Sequence, residues 1–141
     1  MLKNIPKIIS PELLKTLSEM GHGDELVIAD GNFPSASLNN RVVRYDGNAV
    51  PELLTAILEL YPLDDYSDHQ VFLMGVAEGD SYEPVIWEEY EEILEESGEP
   101  SKVEYLERFE FYERAKDAYA VVASGEEALY ANIIIKKGVV T

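Results

Sequence analysis

Leu13, Leu14, Leu17 and Met20 recur at the three-and-four spacing that lays one apolar stripe along a helix. Ser10 before the stripe offers a capping hydroxyl, Pro11 has the preset φ of a first helical residue, Glu12 puts an acid in the first turn, and Gly21 stops the helix. The pattern then changes. Leu26, Val27, Ile28 and Ala29 form an unbroken apolar run that reads as a strand buried on both faces, and Asp30 ends it. A further strand is predicted at 41–45 and a helix at 51–60, where Leu53, Leu54, Ile57, Leu58 and Leu60 are apolar and Pro62 lies just beyond. Residues 71–77 form a second buried run, followed by Glu78, Gly79 and Asp80.

Pro84 opens a third helix running to Ser97, with Ile86, Tyr90, Ile93 and Leu94 inward, its glutamates outward and Gly98 at its end. A strand at 102–106, a short helix at 109–116 and strands at 119–123 and 130–136 complete the chain, the last two separated by the turn signal Ser124-Gly125-Glu126. Strands alternating with helices predict an α/β fold: one three-layer domain over residues 1–141, a mainly parallel but mixed sheet with helices on both faces. The last two strands are expected to supply the antiparallel element. There is no internal repeat and no low-complexity tract.

Charge narrows the function. The net charge is −17, and 17 of the 28 acidic residues fall between 78 and 127, against four of the 11 basic ones. This disfavours nucleic-acid backbones and anionic membrane surfaces, both of which recruit clustered Lys and Arg. With no cysteine, disulfides, thiolate metal sites and cysteine nucleophiles are excluded. No run approaches the roughly 20 apolar residues of a membrane span, and Pro6, Ser10, Pro11 and Glu12 interrupt any signal-like segment, so a cytoplasmic protein is expected.

His22 lies between Gly21 and Gly23 at one end of the first buried run, and Asp30 at the other end. Flanking glycines let an imidazole project from a turn, and the carboxyl ends of buried strands are where open α/β sheets collect ligands. Imidazole both donates and accepts a proton near neutral pH, and a nearby carboxylate would orient it or bind sugar hydroxyls. The plain alternative is a polar loop residue and a turn cap. A metal site from His22, Asp24 and Asp30 is disfavoured, because stable zinc sites need three or four ligands and the other histidine, His69, lies in a polar loop. Phosphate-cradling glycine loops and nucleophile elbows are absent. Arg108 is a lone cation among acids and rings, with an ordinary surface ion pair as its plain reading; Tyr130 and Asn132 enter the last strand. Together with His22 and Asp30 they form a set of hydrogen-bonding groups suited to a polyhydroxylated ligand. Trp87 reads as helix packing.

A resemblance then becomes specific. The run from Ile9-Ser10-Pro11-Glu12 through Met20-Gly21-His22-Gly23-Asp24-Glu25, then Asp30-x-x-Phe33-Pro34, Arg108-Phe109-x-Phe111-Tyr112-Glu113-Arg114-Ala115, Gly125-Glu126, Tyr130-Ala131-Asn132-Ile133 and Lys136-Lys137-Gly138-Val139 resembles the family shared by L-fucose mutarotases and D-ribose pyranases. The likeness covers nearly the whole chain in order and is least specific over 60–105. It implies interconversion of sugar anomers without cofactor or metal, His22 as proton donor, Asp30, Arg108, Tyr130 and Asn132 as substrate-binding residues, and a ring-like homodecamer with sites near subunit contacts. Arg108 stands where the pyranase branch usually has His, so the resemblance favours L-fucose over D-ribose as the monosaccharide. Gly31-Asn32 departs from the Ala-His of many fucose mutarotases, removing a second histidine beside Asp30. A D-ribose pyranase, a non-catalytic sugar-binding module and an acidic interaction protein using the helix between Glu88 and Glu96 are the alternatives.

Overall fold

A computed structural model describes residues 1–141. Its first element is α1 (Pro11–Glu19), where the Ser10 hydroxyl accepts the Leu13 N–H at 3.1 Å and Leu13 and Leu17 are buried. Then follow β1 (Glu25–Ala29), α2 (Ser35–Leu38), β2 (Val42–Tyr45), α3 (Val50–Leu58), β3 (Val71–Met74), α4 (Ile86–Ser97), β4 (Val103–Leu106), α5 (Arg108–Asp117), β5 (Ala120–Ser124) and β6 (Ile133–Lys136). The strands form one sheet in the order β2-β5-β1-β6-β3-β4. Pairings β1–β5, β2–β5 and β3–β4 are parallel, whereas β6 pairs antiparallel with both β1 and β3. β1 to β5 therefore all point one way, and β6 alone runs against them.

Side chains alternate across the sheet and fill a separate core on each face. Leu26, Ile28, Val71, Leu73, Val122, Ile133 and Ile135 pack with α1, α3 and α4 residues such as Leu13, Leu53, Ile57 and Tyr90. On the opposite face Val27, Ala29, Phe72, Val121 and Ile134 pack with Phe111 and Ala115 of α5. Burial on both faces is why β1, β3 and β6 read as continuous apolar runs. The fold is the expected mixed α/β sheet covered by helices on both sides.

Three details differ from the sequence-based expectation. α2 was not anticipated, because its four residues are too few to show a period. The strands expected at 71–77 and 130–136 are shorter. Gly75 N–H still reaches the Leu106 carbonyl at 2.8 Å, but 77–80 turn away, and Tyr130 has φ +58°, outside strand geometry. Finally, β6 does supply the antiparallel element, yet it does so between β1 and β3 in the middle of the sheet instead of pairing with β5.

Candidate active site

Because β1 to β5 share one direction, their carboxyl ends meet at one edge of the sheet, and the amino end of β6 arrives at that same edge. This brings Asp30 from the end of β1, Asp80 from beyond β3, Tyr112 from α5 after β4, and Tyr130 and Asn132 from the entry to β6 around one cleft of about 280 Å³. Asn32, Phe33, Met74 and Leu129 complete its lining. A few convergent polar groups among apolar walls is the usual makeup of a small-molecule site.

The polar groups are fixed by backbone contacts. Asp30 N–H donates to Asn132 Oδ1 at 2.7 Å, so the Asn132 carbonyl is occupied and its Nδ2 remains a donor on a residue 5% exposed. Asn32 N–H donates to Asp30 Oδ1 at 2.9 Å. Burial raises the Asp30 carboxyl above the ordinary value, opposed by the N–H groups of Asn32 and Phe33. Tyr130 is held at its unusual φ by three contacts: its phenol donates to Asp80, accepts the Ala77 N–H at 3.2 Å, and its carbonyl accepts the Trp87 indole N–H at 2.9 Å. Tyr82 stacks on its ring at 6.0 Å. The hydrogen bond to Asp80 raises the Tyr130 phenol and lowers the Asp80 carboxyl. Trp87, expected only to pack, also anchors Tyr130.

Arg108 makes no ion pair of the kind its surroundings suggested. Its Nε donates to the Tyr112 hydroxyl at 3.1 Å, and its guanidinium lies over the Phe109 and Tyr112 rings at 5.4 and 5.3 Å. The guanidinium thus sits one side chain back from the cleft, with Tyr112 between. Phe33 locks this wall by edge contacts to Phe111 at 5.8 Å and Tyr112 at 5.6 Å. Glu107 starts α5 beside it by accepting the Phe109 N–H at 2.8 Å.

His22 is elsewhere. It precedes β1, so the five residues of that strand, about 15 Å long, separate it from Asp30. A carboxylate does orient His22, but it is Asp64 and not Asp30: His22 Nε2 lies 2.9 Å from Asp64 Oδ1. The exit of β6 joins the two. Lys137 carbonyl accepts the Gly23 N–H at 2.8 Å, Lys136 carbonyl accepts the Asp64 N–H at 3.0 Å, and Gly138 N–H donates to the Pro62 carbonyl at 2.7 Å. Gly138 is required for this approach, since a Cβ there would collide with the Leu63 carbonyl. Asp24 caps the Gly21 N–H at 2.7 Å, and Asp30 lies at the far edge; the chain has no cluster of three or more His, Cys, Asp and Glu side chains placed to hold a metal.

Tyr112, Asp80 and Asp64 are polar residues that the sequence left without a role. Asp80 had a usable signal, for it follows a buried strand as Asp30 does. Asp64 had none, because its partner is 42 residues away.

Residues 3–140 match the model of the RbsD / FucU transport protein family, and the chain belongs to that family. It is 57% identical to the fucose mutarotase from Streptococcus pneumoniae solved in complex with L-fucose, with a TM-score of 0.95 over 99% of this chain and 100% of that one. The L-fucose mutarotase of Haemophilus influenzae (strain PittGG) is 53% identical over 99% of this chain and 97% of its own length. Bacillus subtilis RbsD, solved with D-ribose, is more distant at 28% identity and a TM-score of 0.76, each chain being covered in full.

Proposed function

We propose that this chain is an isomerase that interconverts the α and β anomers of L-fucose. The observation that carries the reading is the full-length likeness to the fucose mutarotase bound to L-fucose, at 57% identity and a TM-score of 0.95. The family branch solved with D-ribose lies at half that identity, which ranks ribose pyranase activity second.

Anomer exchange needs two proton movements and no redox change. The anomeric O–H loses its proton, the bond from C1 to the ring oxygen breaks with its electron pair going to that oxygen, C1 becomes a carbonyl, and the ring oxygen gains a proton. Rotation about C1–C2 and the reverse steps close the other face. In our reading His22 gives the ring oxygen its proton, and Tyr130 accepts the anomeric proton while passing its own to Asp80. Asp30 and Asn132 hold hydroxyls, and Arg108 acts on the sugar through Tyr112, whose hydroxyl accepts from its Nε and lines the cleft.

One protomer separates His22 from that cleft by the length of β1. We therefore read the working site as composite, with His22 supplied to the cleft by a neighbouring copy in a ring-like homodecamer, in the cytoplasm. Mixing His22→Ala and Asp30→Asn subunits tests this: each variant alone is slow, and subunit exchange between them restores part of the activity. Magnetisation-transfer NMR of L-fucose, with D-ribose and D-galactose alongside, tests the activity itself. Exchange no faster than in buffer for all three sugars, with fucose still bound, would make the chain a sugar-binding module instead.

A further inference from the structure

Asp64 spends a whole carboxylate on one small turn. Its side chain retains 3% of its accessible surface, whereas that of His22 retains 46%. Oδ1 accepts from His22 Nε2 at 2.9 Å and from the Tyr66 N–H at 3.0 Å, and Oδ2 accepts the Ser67 hydroxyl at 2.6 Å. Burial by itself would raise this carboxyl; the donors from Ser67, His22 and Tyr66 outweigh it and bring it down to about 2. At neutral pH Asp64 is an ionised group that only accepts. The nitrogen facing it must then carry hydrogen.

We propose that Asp64 is a positioning residue for the anomer exchange: it holds His22 in the Nε2–H tautomer and so makes Nδ1 the nitrogen that exchanges a proton with the sugar. This rests on the reading of His22 as the proton carrier. The Tyr66 ring, tilted against the imidazole at 5.2 Å, and the Asp64–Tyr66–Ser67 turn restrain the ring plane, so Nδ1 is presented in one direction. Proton exchange at the ring oxygen closes on His22, while the anomeric proton leaves to and returns from the Tyr130–Asp80 pair. The imidazolium gives its Nδ1 proton to the ring oxygen, is left neutral with Nε2–H still bound to Asp64, and recovers the proton at Nδ1 when the ring closes. Asp64 stays ionised throughout and orients the ring, as a buried carboxylate does for a general-acid/base histidine.

The observation to make is the tautomer of His22 by long-range ¹H–¹⁵N correlation in the full-length ¹⁵N-labelled protein, together with L-fucose exchange in Asp64→Asn and Asp64→Ala. Asparagine keeps the shape and one acceptor oxygen, so the turn survives even where alanine unfolds it. Expected are an Nε2–H signal in the unsubstituted protein and exchange about 10- to 100-fold slower in Asp64→Asn, a portion of what general acid–base catalysis contributes. KM should stay unchanged, and the limb of the pH–rate profile that vanishes with His22 should move to lower pH. A role confined to holding the turn would leave that limb in place. An Nδ1–H tautomer in the unsubstituted protein overturns the proposal, and so does Asp64→Asn at full rate with an unmoved profile. Full exchange in His22→Ala would instead sink the function reading on which the proposal rests, while the tautomer could still be read.

Discussion

The two edges of the sheet hold carboxylates under opposite regimes. At the edge where β1 to β5 end, Asp30 is raised by burial and shares a cleft with Asn132, Tyr130 and Tyr112. At the edge where β1 begins, Asp64 is more deeply enclosed, yet it is lowered to about 2 because three donors converge on it. Burial does not by itself decide the shift of an acid; its balance against the donors and charges that face the carboxylate does. The first edge keeps polar capacity in a concavity, which suits holding a ligand. The second commits its acid to a single half-exposed imidazole, which suits moving a proton.

Function separates the edges most sharply. His22→Ala should slow L-fucose exchange by about 10²- to 10⁴-fold, the usual reach of a general acid–base group, while fucose binding by saturation-transfer NMR persists. Phe111→Ala attacks only the cleft edge, by removing the fully buried ring under Phe33 and α5. It should cost about 3–5 kcal/mol in urea unfolding and loosen the Tyr112–Arg108 wall. Asp30→Asn should weaken fucose binding about tenfold or more, as loss of a charged hydrogen-bonding group does, raising KM more than it lowers kcat.

The smallest effects are on stability, and they should have opposite signs. Asp64 has its folded pKa depressed, so its contribution is present above the unfolded carboxylate range and is lost as pH falls through about 2. Asp30 has its folded pKa raised, so its ionisation works against the fold as pH rises through that value. At neutral pH Asp64→Asn should therefore lower Tm and Asp30→Asn should raise it slightly. Equal shifts in both variants across an acid titration of Tm would erase the contrast between the edges.

Much of the framework was legible along the chain. The central strands stood out because a strand covered on both faces must be apolar at every position, as Val27, Ile28, Ile134 and Ile135 are. Helices with a full stripe and a cap, such as α1, were equally plain. α2 had no stripe to show, and Tyr130 looked like strand because its left-handed φ is imposed by Trp87, Ala77 and Asp80 from other segments. Asp64 and Asp80 both lie in the stretch where the family resemblance was least specific.

What the sequence determined by itself were the elements, the class of the sheet, and a set of polar residues matched to a family, because these depend on local periodicity and on short motifs. The tertiary structure alone decided how that set divides. The antiparallel insertion of β6 carries Tyr130 and Asn132 to Asp30 at one edge, while its exit ties His22 to Asp64 at the other. Strand direction sets which ends share an edge, and it is a property of pairing between distant segments that no local pattern encodes.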